Sequence, residues 1–183
     1  MCGCADSLLH YICNDQGGQM MKVLFLHGME GTPEGTKPAF LKKAGFRVIA
    51  PALPKNDFEL SLARAKDTFE NFKPDIVVGS SRGGALASAL DTGDIPKILI
   101  APAWKKFGVK NPLVNKETVI LHCADDDLVP YEDSIELAKP KDGEYFGPTL
   151  TECGENHRMS DDEALQRLLW AIEARVGCVG ENL

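Results

Sequence analysis

Residues 75–86 read Asp-Ile-Val-Val-Gly-Ser-Ser-Arg-Gly-Gly-Ala-Leu, and this stretch constrains the chain more than any other. Ile76 to Val78 is a short β-branched run that suits a strand. Gly79 ends it, two serines follow, and from Gly83 onward an alanine-rich run predicts a helix. A strand that turns directly into a helix brings two backbones close together. The crossing needs small residues, and Gly79, Gly83, Gly84 and Ala85 supply them. The apex residue of such a turn takes a strained backbone conformation, and here that residue is Ser81. Gly79-Ser80-Ser81-Arg82-Gly83 thus fits G-x-S-x-G, a pattern that lifts a serine hydroxyl to the top of a sheet. The bare string also describes an ordinary turn. The strand before it and the helix after it favour the chemical reading.

Around this stretch, apolar runs alternate with segments of helical period. Val23 to Leu26 is continuously apolar, as expected of a strand buried on both faces, and leads into the glycine-rich loop His27 to Pro33. A helix is expected from Pro38 to Gly45 and a strand over Phe46 to Ala50. Asp57 caps the next helix, whose Phe58, Leu62, Ala65, Phe69 and Phe72 share one face and which Pro74 stops. Gly93 is expected to close the helix that follows Ser81. Strands are then expected over Ile95 to Ala101 and Thr118 to Cys123, a helix over Tyr131 to Ala138, and a last strand between Glu144 and Cys153. Ser160-Asp161-Asp162-Glu163 reads as a capping box. Its helix is expected to bury Leu165, Leu168, Leu169, Ile172 and Val176 and to stop at Gly177. This alternation predicts an α/β fold: a three-layer α/β/α sandwich with a mostly parallel, doubly wound sheet. No repeat or linker divides residues 21–178, which are expected to form one domain.

Composition narrows the partners. Twenty basic against 27 acidic residues leave a net charge of −7, the wrong sign for a nucleic-acid surface. No apolar run approaches a bilayer's thickness, so no membrane association is expected. Six cysteines in 183 residues are too sparse for a disulfide scaffold and fit a reducing cytoplasm. Residues 1–20 lack a secretory signal's basic and apolar regions, and Cys2, Cys4, His10 and Cys13 match no standard zinc spacing. They are expected to be a poorly ordered extension.

In an open α/β sheet, ligands bind outside the carboxyl ends of the strands. Four such ends carry polar or glycine-rich sequence: His27-Gly28-Met29, Ser81, Asp125-Asp126-Asp127 and His157. A serine hydroxyl becomes a useful nucleophile when a base accepts its proton, and the base needs a partner that fixes its tautomer. Ser81, an aspartate and His157 follow one another in an order suited to these roles. Ser80 is a rival nucleophile, His27 and His122 are rival bases, and Asp125 and Asp127 rival Asp126. Trp104 either walls a substrate pocket or packs in the core. Lys37 is left undecided.

Four motifs in this order resemble those of the α/β-hydrolase superfamily, and within it the small lidless bacterial serine esterases. Leu26-His27-Gly28 resembles the oxyanion loop, Gly79-Ser80-Ser81-Arg82-Gly83 the nucleophile elbow, Asp126-Asp127-Leu128-Val129-Pro130 the acid turn, and Asn156-His157 the histidine loop. The resemblance spans roughly residues 21–176. It implies Ser81 as nucleophile, His157 as base, Asp126 as acid, and the backbone N–H groups of Met29 and Arg82 as oxyanion hole. It further implies a serine hydrolase that cleaves a small carboxylic ester or thioester through an acyl-enzyme, with a small-molecule acyl substrate and no metal or organic cofactor. The chain departs from the family pattern in having no antiparallel strands before the first parallel one and no insertion long enough for a cap. The alternative is a non-catalytic binding protein of the same fold using the same cleft. A Mg²⁺-dependent phosphatase built on Asp125 and Asp127 is disfavoured, because that pair follows a late strand instead of the first.

Overall fold

The computed structural model describes residues 20–176 apart from 142 and 144. The N-terminal cysteine and histidine cluster, all but the last residue of the extension expected over residues 1–20, the side chain of Val176 and the stop at Gly177 lie outside the described residues. Six parallel strands form one sheet: β1 (Lys22–Leu26), β2 (Arg47–Ile49), β3 (Ile76–Ser80), β4 (Lys97–Ile100), β5 (Val119–His122) and β6 (Thr149–Glu152). Five helices connect or follow them: α1 (Thr36–Lys43), α2 (Phe58–Phe72), α3 (Arg82–Ala89), α4 (Tyr131–Leu137) and α5 (Asp162–Val176).

The strand order is β2-β1-β3-β4-β5-β6. The chain winds outward from β1 to one edge, returns across β1 to β3, and then runs to the other edge. The winding therefore reverses between β1 and β3, where a crevice opens at the carboxyl ends. The pleat divides the strand residues between two apolar layers. Val23, Phe25, Ile76 and Val78 face Leu41 of α1 and Leu168 and Ile172 of α5. Leu24, Leu26, Val77 and Leu99 face Ala65 of α2, Leu86 of α3 and Leu137 of α4. Helices cover both faces, which makes the three-layer α/β/α sandwich that the alternating sequence predicts. The central strands are buried on both sides, and this is why they read as unbroken apolar runs.

Several boundaries move. α1 starts at Thr36, two residues before Pro38, since a residue without an N–H is harmless anywhere in a first turn. α3 ends at Ala89, well short of Gly93. Two of the carbonyls near its end find partners elsewhere: Leu113 N–H donates to Ser88 and the Lys97 amine to Leu90. The capping box shifts by one residue. Asp161, not Ser160, accepts the N–H of Ala164 at 2.9 Å, while the Ser160 hydroxyl donates to the Arg158 carbonyl.

Candidate active site

Ser81 sits between β3 and α3 with φ 54° and ψ −114°, a conformation unfavourable for any residue with a side chain. The surroundings over-determine it. Its N–H donates to Ile100 O at 2.8 Å, and its carbonyl accepts from Ala85 and Ala103 N–H groups at 3.1 Å. The flanking glycines are a steric requirement. A Cβ on Gly83 would overlap the Leu26 carbonyl, and one on Gly79 would overlap the Gly83 carbonyl. The elbow packs directly against the end of β1, and a Cβ on Gly28 would lie 3.2 Å from that of Ser81.

His157 and Asp126 arrive from the loops after β6 and β5. His157 Nε2 lies 2.9 Å from Ser81 Oγ, and its Nδ1 lies 2.7 Å from Asp126 Oδ2. The structure thus brings the three singled-out side chains into one hydrogen-bonded line. Asp126 is distinguished from its neighbours by burial. Its carboxylate is 0% exposed, whereas Asp125 and Asp127 are exposed. Asp126 Oδ1 accepts the N–H groups of Leu128 at 2.8 Å and Val129 at 2.9 Å, so the turn ties the carboxylate to its own backbone. Burial alone would raise the carboxyl pKa. The Val129 N–H, His157 and the Leu128 N–H outweigh it and hold Asp126 below the usual carboxylate range.

The rival groups have other partners. His122, the last residue of β5, is fully buried, with Nε2 3.0 Å from Asp126 Oδ2 and Nδ1 2.7 Å from Ser134 Oγ. Burial pushes its pKa down despite the adjacent carboxylate, which keeps the ring neutral. Nε2–H then donates to Asp126, and Nδ1 accepts from the Ser134 hydroxyl. His122 supports the acid from behind, a contact that its position in an apolar strand did not reveal. The spacing of His122 and Asp126, four residues apart across a strand end, is the one signal that could have pointed to it. His27 is also buried. Its Nδ1–H donates to Gly28 O at 2.9 Å and Nε2 accepts the Leu53 N–H at 3.4 Å, which fastens the loop after β1 to the segment after β2. Ser80 occupies the last position of β3, one residue before the apex.

Gly28 O accepts Gly31 N–H at 3.2 Å, closing a turn with Met29 second in it. The Met29 N–H is therefore left out of the turn's own hydrogen bond. Arg82 is the first residue of α3, where an N–H has no intrahelical acceptor. Its guanidinium serves a separate purpose. Buried, it donates to Pro54 O at 2.7 Å, Asp57 O at 3.0 Å and Ser61 Oγ at 2.8 Å, and lies 5.8 and 5.7 Å from the centroids of Phe58 and Phe107. This locks the start of α3 against the start of α2.

A cleft of about 580 Å³ opens over Ser81, lined among others by Met29, Lys37, Ala103, Phe107, Val129 and His157. Trp104 does not line it, which corrects its placement as a pocket wall. Its ring packs into the α2–α3–α4 layer, and its indole N–H donates to Asp133 O at 3.0 Å. A buried indole needs an acceptor, and the acceptor lies on the core side, so Phe107 takes the wall. Lys37, undecided from the sequence, lines the cleft and donates to Arg158 O. Among the described residues, no helix is long and apolar enough to cross a membrane.

No protein-family model and no curated protein sequence matches the chain. Solved structures do match it. Thermogutta terrifontis esterase 2, in a structure phosphoramylated by tabun, aligns with a TM-score of 0.65 at 17% identity, covering 88% of this chain and 84% of that one. Est1E from Butyrivibrio proteoclasticus aligns at 0.64 with 16% identity over 90% and 89% of the two chains. Mouse alpha/beta hydrolase domain-containing protein 10 aligns at 0.62 with 19% identity over 90% and 92%. The chain has the α/β-hydrolase fold.

Proposed function

We propose that the chain is a serine hydrolase acting on small carboxylic esters or thioesters, in which Ser81 is the nucleophile. One observation carries this reading: a strained Ser81 whose Oγ is 2.9 Å from a histidine that is itself 2.7 Å from a buried aspartate. Ser81 Oγ attacks the carbonyl carbon while His157 Nε2 takes its proton, and Asp126 stabilises the imidazolium. The Met29 and Arg82 N–H groups receive the developing oxyanion. The alcohol or thiol then leaves with the proton from His157. Water, deprotonated by the same nitrogen, attacks the acyl-enzyme, releasing the acid and restoring Ser81. The buried, free Cys123 and Cys153 suit the reducing cytoplasm in which such an enzyme would work.

A fluorophosphonate should label Ser81 alone, and Ser81→Ala should abolish both labelling and hydrolysis of p-nitrophenyl butyrate in the presence of EDTA. Labelling at Ser80, or labelling that persists in Ser81→Ala, would remove the assignment. A protein that binds esters without turning them over would be the non-catalytic alternative. The segment between β4 and β5 supplies Ala103 and Phe107 to the cleft wall and is too short for a cap domain. A long acyl chain would leave methylenes in water, each forfeiting about 0.8 kcal/mol of possible burial. For p-nitrophenyl esters kcat/KM should therefore peak between acetate and hexanoate. A steady rise to dodecanoate would reveal an acyl tunnel.

A further inference from the structure

The chain is acidic, with 20 basic against 27 acidic residues, yet the cleft over Ser81 reverses that balance. Its charged lining consists of Lys37, Lys106 and Arg158 against a single acid, Glu30. The Glu30 side chain is 91% exposed, so solvent screens its charge, and it lies 3.9 Å from Lys55, a lysine outside the lining. Among the described residues, none of the three lining cations has a carboxylate within ion-pair distance, whereas Lys42, Arg167 and Arg175 each have one and Lys105 has two. An acidic protein would on balance repel an anion. A local excess of positive charge inside its cleft, offset only in part by Asp161 near Lys37, draws one in where the walls are of low dielectric.

The cations are placed relative to the chemistry. Arg158 follows His157 in the chain, and the Lys37 amine donates to the Arg158 carbonyl, so both stand beside the base. That amine has two more N–H donors and no other hydrogen-bond acceptor among the described residues. Burial lowers its pKa to about 8, with Asp161 pulling the other way, so a desolvated ammonium here gains from an anionic partner. The leaving oxygen or sulfur of a substrate must come within reach of His157 Nε2 to take its proton. The leaving group therefore extends over the histidine loop, toward Lys37 and Arg158.

We propose that the substrate's leaving group carries a carboxylate, held by Lys37 and Arg158 beside His157, so that the enzyme prefers O-acyl hydroxy acids or S-acyl mercapto acids over neutral esters. This rests on the hydrolase reading above and names the substrate class of the same site. Lys106, farther along the lining, adds to the attracting field without marking the carboxylate's position.

The test compares 4-acetoxybenzoate, whose leaving phenol bears the carboxylate, with its neutral methyl ester. Each kcat/KM is divided by the hydroxide-catalysed rate of the same compound, because methylation alters the phenol's acidity. The wild-type ratio of anionic to neutral ester should be about ten, the scale of one hydrogen-bonded charge contact. It should fall toward one in Lys37→Met, fall partway in Arg158→Gln, shrink in 0.5 M NaCl, and stay unchanged in Lys66→Gln on the remote face of α2. A wild-type ratio of one or less, or a ratio that Lys37→Met does not alter, would overturn the proposal. If neither ester turns over faster than with Ser81→Ala, the hydrolase reading fails separately. Calorimetric titration with 4-hydroxybenzoate and its methyl ester then decides the anion site without turnover. Tighter binding of the anion that Lys37→Met abolishes would sustain it, and equal binding of the two would sink it.

Discussion

The two sides of the cleft are held by different physics. On the elbow side, position is set by backbones in contact: α3 meets the end of β1 where Gly83 has no Cβ, and Ser81 is forced to φ 54°. On the histidine side, position is set by hydrogen bonds between side chains and loops. Asp126 accepts two backbone N–H groups and two imidazoles, and Asp161 holds the N–H groups of Glu155 and Ala164 across the loop that carries His157. The first arrangement is close to all-or-none, because a carbonyl cannot yield to a methyl group. The second is divisible, since each hydrogen bond can be removed while the others stand.

The largest expected effect is on the elbow. Gly83→Ala should cost more than about 3 kcal/mol and about 10 °C in Tm, because the added methyl meets the Leu26 backbone instead of a movable side chain. Gly93→Ala is the matched control. Its φ of +55° is strained for alanine but nothing lies within 4 Å, so about 1 kcal/mol is expected. Equal Tm values for the two variants would break the contrast between packing and conformation.

The next effect is on chemistry. Asp126→Asn should lower kcat by about 10²–10⁴-fold, whereas the exposed Asp125 and Asp127 should tolerate the same change with little loss. Asp126 also links the site to pH. Its folded pKa is depressed, so the unfolded state binds the proton first as pH falls. Its stabilising contribution is complete above the unfolded value of about 3.9 and is lost as pH falls through the lower folded value. Denaturant midpoints of wild type and Asp126→Asn should therefore converge in acid and diverge at neutral pH. A gap constant from pH 7 to 3 would contradict the assigned charge.

His122 sharpens the picture of the divisible side. His122→Leu leaves Asp126 Oδ2 and the buried Ser134 hydroxyl each short of a partner, at about 1–3 kcal/mol in stability. It should also lower kcat severalfold with KM little changed, because Asp126 then holds His157 with one support fewer. His122→Gln restores an N–H and should restore kcat. A His122→Leu variant with wild-type kcat would reduce His122 to a space-filling role. The smallest effect belongs to the cap. Asp161→Ala should cost about 1 kcal/mol and a severalfold loss of kcat, while Ser160→Ala should do neither.

The sequence by itself determined whatever rests on neighbouring residues. Helix period, strand runs and the Asp57 cap follow from local propensity. The elbow is legible because its steric demand falls on glycines two or three residues from Ser81. The serine, acid and histidine could be ordered because the parallel strands deliver their loops to one end. Tertiary structure decided what depends on residues far apart in the chain. Asp126 stands apart from Asp125 and Asp127 through burial against two imidazoles and its own turn, a difference that three adjacent aspartates do not display. His122 acquired its role only when β5 brought it against Asp126 on one side and Ser134 on the other. Trp104 turned to the core because its N–H found the Asp133 carbonyl on α4. Lys37 joined the cleft through a contact with Arg158, 121 residues away. A side chain with several possible partners takes the one the fold brings within reach, and that distance is written nowhere in the local sequence.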